Sequence, residues 1–393
     1  MRLVVVLLLL VPLGVMSSFE VNLVQHLRHF TTQRFPSDRF NTERLKAQKY
    51  IKDRFKSYGL KVVEQKFNST IESDPLGIGN VTNVVGVNII GISEAVSNRQ
   101  GAVLLVGADY DTNGISDPIF NNGAGVAAML ETARLFTSAI RSKTFAKNFT
   151  TIFVAFDLNT KEHDIGSGRP GGWHFVQHWL WPYLKHSDIN FGGAFILDSI
   201  MNINLNSNSQ IANDDFRQLF PKTFERVVES ERKGNFLAMV TRLGNKATTL
   251  KDQFSGSYYM ERIRTQFRLE DMGFKGRMEL NEVMRELTKP ESIHFWSFNY
   301  NHTSVPLPAV LLTDTQELRV RPPMPAHCNK ECPMKDLVTE DRVDFMDSTV
   351  RGLTRTLIRR QLHRYPDVPG GGELTLPSLL VTAAVFALVR LLQ

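Results

Sequence analysis

Gly101-Ala-Val-Leu-Leu-Val-Gly-Ala-Asp-Tyr-Asp111, followed six residues later by Pro118-Ile-Phe-Asn-Asn-Gly-Ala-Gly-Val126, is the stretch on which the fold turns. The run from Gly101 to Val106 is apolar without alternation, which is the pattern of a strand covered on both faces. It ends at Asp109 and Asp111 and crosses a loop rich in Asp, Pro, Asn and Gly. It then opens onto Gly125 to Phe136, where Ala, Leu and Met recur as in a helix packed on a sheet.

The same alternation continues on either side. Upstream, Leu45, Tyr50, Ile51 and Phe55 make Asn41 to Tyr58 an amphipathic helix that Gly59 is placed to end. Strand-like runs follow at Lys61 to Phe67 and Asn83 to Ile92. Downstream come a buried strand at Thr150 to Phe156, a Trp-rich helix at His174 to Lys185 and a strand at Gly193 to Leu197. Val305 to Leu312 is a last strand, and Asp341 to Arg364 a closing helix with a basic end, as the helix dipole favours. The order predicts an α/β fold: a three-layer sandwich with a mostly parallel central sheet flanked by helices. Between 204 and 291 the pattern turns charged and helical, most clearly at Phe216 to Lys233 and Met260 to Leu287, and a helical insertion is expected there.

With 46 basic and 40 acidic side chains in 393 residues, the excess is small and dispersed, which argues against a nucleic-acid partner. Residues 1–17 have a basic start, a short apolar core and small residues, as a secretory signal peptide has. At 369–393, Gly370-Gly-Gly372, a short polar spacer and the apolar block Leu379 to Leu392 match the signal for a glycolipid (GPI) anchor; a transmembrane tail is the alternative, for which the block is short and carries Arg390. The core domain is thus expected over 18–368, on the extracellular face of the cell membrane. The two cysteines, Cys328 and Cys332, read as a loop-closing disulfide; a zinc site would need further ligands, with His327 nearby. Sequons stand at Asn68, Asn80, Asn148 and Asn301, consistent with a secreted glycoprotein.

In open α/β sheets ligands gather at the carboxyl ends of strands. Four segments fall there: Gly107-Ala-Asp-Tyr-Asp111, Pro118 to Val126, the loop after Asp157, and Leu197-Asp-Ser199; Ser292-Ile-His294 precedes the last core strand. In order and context, from about Phe40 to Arg364, these resemble the co-catalytic zinc exopeptidase family, which includes leucyl aminopeptidases, glutamate carboxypeptidase, glutaminyl cyclase and the transferrin receptor. In that family the segments read Gly-Ala-His-Tyr-Asp, with a ligand His, and Pro-Gly-Ala-Asp-Asp-Asn-Gly-Ser-Gly-Val, with an Asp bridging both metals. A Glu-Glu pair, a ligand Asp and a ligand His follow. The two metals polarise the peptide carbonyl and generate hydroxide, and one Glu moves the proton.

The resemblance implies that the first ligand His is Asp109 here, that Asn121 stands at the bridging position and that Asn159 and Thr160 occupy the Glu-Glu positions; Asp111, Asp198 and His294 keep family identities. A neutral amide bridges divalent metals poorly. Glu162, with His163 and Asp164, would supply a shifted base or ligand if its loop folded inward, and Asp109, Asp198 and His294 would make at most one weak metal site. There is no Gly-x-Ser-x-Gly elbow, His-Glu-x-x-His or phosphate-cradling loop. The expectation is a non-catalytic extracellular receptor or scaffold that takes a protein or peptide ligand, with no cofactor; the alternative is a metallo-aminopeptidase with rearranged ligands.

Overall fold

A computed structural model describes residues 18–37, 40–72, 81–95, 101–112, 117–141, 148–159, 168–261, 267–275, 281–322 and 334–362. The two ends read as a signal peptide and an anchor signal (1–17 and 369–393), Cys328 and Cys332, Asn80, Thr160, Glu162, His163 and Asp164 lie outside the described residues. Chain contacts define two units, one of Leu23–Arg364 and one of Met1–Asn22 with Tyr365–Gln393. Of the second, only the opening of the helix Ser18–Leu27 is described.

Among the described residues the first unit has ten strands: β1 (Lys61–Glu72), β2 (Val81–Ser93), β3 (Ala102–Asp109), β4 (Thr150–Phe156), β5 (Asn190–Asp198), β6 (Phe236–Arg242), β7 (Arg268–Phe274), β8 (Asn299–Tyr300), β9 (Thr303–Ser304) and β10 (Ala309–Thr313). Eight form one sheet in the order β1-β2-β4-β3-β5-β10-β6-β7, and β8 pairs with β9 in a separate hairpin. The central β4, β3, β5 and β10 run parallel, whereas β2 joins β4, and β6 joins β10, in antiparallel fashion. β3 and β4 are buried at every position, so both faces must be covered.

Side-chain alternation divides the strands between two cores. Val103, Leu105, Ile152, Val154 and Ile196 point into a cluster with Phe175, Leu180, Phe216, Phe220, Met284 and Trp296, whose helices cover that face. On the other face Phe153 meets Phe136 of the helix Ala124–Arg141, and Phe195 meets Phe254 of the helix Asn245–Glu261. The helix Glu340–Leu362 packs across both of these helices. The helix Asn41–Ser57 ends as predicted, with Gly59 at φ +73°, where a side chain would be strained.

One expectation is corrected. The stretch 204–291 does hold helices, Asp214–Leu219 and Pro221–Glu229 among them, but it also supplies β6 and β7, which extend the main sheet beyond β10. It is part of the sandwich and not a helical insertion. In the described part of Met260 to Leu287, read as helical, β7 lies in the middle. Its Glu270 is buried yet ion-paired, Arg226 Nε to Glu270 Oε2 at 2.7 Å, which makes a charge tolerable within a strand.

Candidate functional site at the carboxyl edge of the sheet

The chain leaves β3, crosses one face by the helix Ala124–Arg141 and returns as β4 on one side of β3. It then crosses the other face and returns as β5 on the other side. The carboxyl ends of β3 and β5 therefore flank a topological switch point, where a crevice forms in folds of this kind. Asp109 ends β3 and Asp198 ends β5, while Asn159 lies just beyond β4, whose Phe156 pairs with Asp109. All three are buried.

Asn122 occupies the switch point. Its Nδ2 donates to Asp109 Oδ1 at 2.9 Å and to the Leu197 carbonyl at 2.8 Å. Its Oδ1 accepts from the main-chain N–H of Gly125 at 3.1 Å and of Ser199 at 2.9 Å. Both amide protons and both oxygen lone pairs are thus in use on groups from β3, β5 and the helix start. Gly125 is required here, because a Cβ at that position would lie 2.4 Å from Asn122 Oδ1. Asn121, the residue singled out from the sequence, is also buried, and the Asn121–Asn122 peptide is cis. Of two adjacent asparagines, the sequence reading named the one whose neighbour makes these bonds.

The surrounding carboxylates meet hydrogen-bond donors. Asp111 accepts from the Asn159 N–H at 3.2 and 3.3 Å, and Asp198 accepts from the Gln316 amide. Asp314, one residue past β10, accepts from the N–H groups of Met201 at 3.1 Å, Asn202 at 2.7 Å and Gln316 at 3.0 Å. Burial pushes the Asp314 carboxyl up to about 6, against the opposing pull of Arg319. Leu158, Ser199, Thr315 and Gln316 all adopt positive φ just past strand ends, so this edge is assembled from turns that side chains seldom favour.

His294 lies elsewhere in this network. In the short helix Ile293–Trp296 its Nε2 stands 3.3 Å from Oε2 of the buried Glu291, and burial lowers its pKa to about 3. A Cβ on Gly172 would meet the same Glu291 oxygen at 1.8 Å, so the start of the helix Gly171–Phe175 lies tightly against this pair. Among the described residues no group of three or more His, Cys, Asp and Glu side chains could hold a metal ion. Of the three residues read as a weak shared site, Asp109 and Asp198 stand at adjacent strand ends, and His294 Nε2 stands beside Glu291. The aromatics of this region pack together, Phe175 on Trp179 and Trp181 against Phe298.

Two buried arginines frame the edge. Arg44 donates to Asp157 through Nε at 3.0 Å and again through Nη2, while Asp157 also accepts from the Val87 N–H at 2.8 Å. Burial alone would lower the Arg44 pKa, but the Asp157 carboxylate more than offsets it and raises it. Arg34 makes no such pair. It donates to the carbonyls of Tyr110 (2.6 Å), Phe30 (2.8 Å), Thr32 (2.6 Å) and Pro118 (2.9 Å). Burial lowers its pKa to about 10, with the nearby carboxylates of Asp111, Asp109 and Asp117 opposing the fall. Neither arginine stood out in the sequence, since no local pattern marks a buried cation.

Residues 88–227 match the sequence model of peptidase family M28. Over that stretch the chain is similar to the M28 peptidases. Aminopeptidase YwaD of Bacillus subtilis (strain 168) is 32% identical over 110 residues, which is 28% of this chain and 22% of that protein. The match thus spans about a fifth of that relative's length. Among solved structures, the glutaminyl cyclase of Macrostomum lignano aligns with TM-score 0.54 and 13% identity over 88% of this chain and 90% of its own. The LapA aminopeptidase of Legionella pneumophila gives TM-score 0.48 and 13% identity over 86% and 72%. The Macrostomum likeness is one of fold: a mostly parallel sheet between helical layers, as in the zinc exopeptidases.

The two zinc ions that the resemblance implies do not fit the donor set described. Asn121, buried, offers a neutral amide where a carboxylate would bridge. Asn159 is an amide at a Glu position. No catalytic step through a metal is derived for these residues. Of the described sequons, Asn68 and Asn301 are exposed, the latter at the tip of the β8–β9 hairpin. Asn148 Nδ2 donates to the Gln361 carbonyl at 2.6 Å.

Proposed function

We propose that this M28-like chain is a non-catalytic extracellular binding protein, secreted and held on the outer face of the cell membrane by a glycolipid anchor. The observation that carries the reading is a pair of buried neutral amides, Asn121 where the resemblance places the bridging carboxylate and Asn159 at a Glu position. A metal-bound hydroxide needs open coordination positions and anionic ligands. Asn121 offers no anionic ligand, and Asn159 supplies no general base. Secretion and tethering rest on the signal-like start and the Gly-rich, apolar end of the sequence. The partner is a protein or peptide outside the cell.

Metal analysis of the purified full-length protein, paired with assays on amino-acid amides, tests the reading. The expected result is less than a stoichiometric metal and no hydrolysis. Two bound metals with turnover would overturn it in favour of an aminopeptidase with ligands from the Glu162 loop. A combined Asp109→His, Asn121→Asp, Asn159→Glu variant asks whether the remaining cleft still accepts the chemistry. For the anchor, phosphatidylinositol-specific phospholipase C should release the protein from the surface of expressing cells; retention after treatment would point to a membrane-spanning tail.

A further inference from the structure

Strand register sets two of the described sequons beside exposed apolar side chains. β8 and β9 are joined by a two-residue turn, Asn301-His302, with φ at +48° and +60°. Two left-handed residues in succession make the type I′ turn, in which asparagine is favoured. On either side of the turn Tyr300 pairs with Thr303, so their side chains leave the same face of the hairpin. The four residues read Tyr-Asn-His-Thr, an acceptor sequon with an aromatic residue directly before it. One side of Tyr300 rests on the body of the protein, its ring 5.2 Å from that of Trp181, yet the residue stays 44% exposed.

The other sequon, Asn68-Ser-Thr70, lies on β1 at the edge of the main sheet. Asn68 pairs with Val85 of β2, which is 54% exposed. Leu45, also exposed, follows Arg44, whose Nη2 donates to the Val85 carbonyl at 3.0 Å. Ser69 faces the other way, buried, and its Oγ donates to the Arg169 carbonyl at 2.8 Å, which keeps Asn68 turned outward. A lone exposed apolar side chain is ordinary. Two of them, each set by register beside an acceptor asparagine, point to an occupant that the sequon itself supplies.

We infer that Asn68 and Asn301 carry N-linked glycans whose first N-acetylglucosamine is a piece of the folded surface, seated on Tyr300 at the hairpin and over Val85 on the edge strand. The inference rests on the secreted reading above, because such sugar is added to chains that enter the secretory pathway. In the transfer, asparagine Nδ2 bonds to the anomeric carbon of the sugar, and the bond from that carbon to the diphosphate of a polyprenol carrier breaks. The diphosphate leaves with the electron pair, and the amide gives up one proton to the transferase. A pyranose presents C–H bonds on its faces, whose slight positive charge suits the negative face of an aromatic ring. Over β1 the glycan has a second effect. A 12-residue edge strand invites pairing with another chain, and a bulky hydrated group on it bars that approach. The inference does not extend to Asn148, whose Nδ2 is used on the Gln361 carbonyl.

Expression of the full chain in animal cells, with site-by-site mass spectrometry before and after peptide N-glycosidase, tests the attachment. Protein recovered from the cell surface or the medium should be occupied at Asn68 and Asn301 in most molecules. Thr303→Val removes the acceptor hydroxyl, keeps the side chain's shape and leaves Asn301 in its turn, whereas Thr303→Ser keeps the sequon. The thermal midpoint should fall by about 2 °C in Thr303→Val and hold in Thr303→Ser. With Tyr300→Ala already in place, Thr303→Val should cost less than about 0.5 °C, since the sugar has lost its seat. On β1, Asn68→Gln should raise the binding of an apolar dye, and Val85→Thr should cancel the rise. Recovered protein bare at Asn68 or Asn301, a Thr303→Val loss that is the same with and without Tyr300, or an Asn68→Gln protein that binds no extra dye overturns the inference and leaves the secreted reading standing. A chain that stays inside the cell without sugar at any sequon sinks the secreted reading, and the inference with it.

Discussion

The carboxyl edge of the sheet has two halves that manage buried charge differently. Beside β2 and β4, Arg44 and Asp157 face each other as an ion pair, with Val87 completing the carboxylate's shell. At the β3–β5 switch point the carboxylates meet amides and N–H groups, and the one arginine sits on carbonyls. Breaking a buried ion pair strands a full charge, whereas an amide network can lose one link and keep its neutrality. The first half is therefore a structural bolt. The second is a polar plug, found where ligands bind in related folds.

The contrast can be broken most severely at Asp157. Asp157→Ala leaves Arg44 buried without its anion and should cost about 3–5 kcal/mol in urea unfolding; a loss below about 1 kcal/mol would mean that water reaches the guanidinium. The pH dependence of stability is the next largest effect. Asp314 titrates near 6 when folded against 3.8 as its reference, so its contribution is full below about 4 and lost as pH rises through 6. His174 is lowered to about 4 by burial, so its contribution is present above 6.5 and lost as pH falls through 4. The two oppose each other between those limits. Asp314→Asn removes the compensating half and should steepen the loss of stability from pH 6.5 to 4.5, by about 2 kcal/mol; curves parallel to wild type would refute the shift. Asp109→Asn should matter least, at about 1 kcal/mol, because an amide oxygen still accepts from Asn122. If it instead equals Asp157→Ala, the switch point depends on charge after all.

Much of the fold was legible because buried parallel strands announce themselves. Thr150 to Phe156 was bounded correctly from its apolar run, and the helix Asn41–Ser57 from its spacing and Gly59. β7 was hidden, since Arg268-Leu-Glu-Asp-Met-Gly-Phe274 carries three charges in seven residues and sits at the sheet's edge. Only the pairing of Glu270 with Arg226, 44 residues away, reveals why a charged run can be a strand. At the site, the sequence located the strand ends that converge there, Asp109 of β3 and Asp198 of β5. It could not show that Asn122 rather than Asn121 makes the cross-strand bonds, because that depends on the local backbone: Asn121 and Asn122 both leave helical dihedrals. His294 matched by context alone, and the fold turned it toward Glu291.

Asn122 is followed by Gly123. Asparagine is chemically labile, and before glycine little hinders the next main-chain nitrogen from attacking the side-chain carbonyl and expelling ammonia. In the folded protein that carbonyl is held by Gly125 and Ser199, and the departing nitrogen by Asp109 and Leu197. The amide is kept whole by the bonds it makes. A chain that loosens at this point would deamidate there, acquire a carboxylate against Asp109, and so convert a passing opening into an irreversible record of its own age.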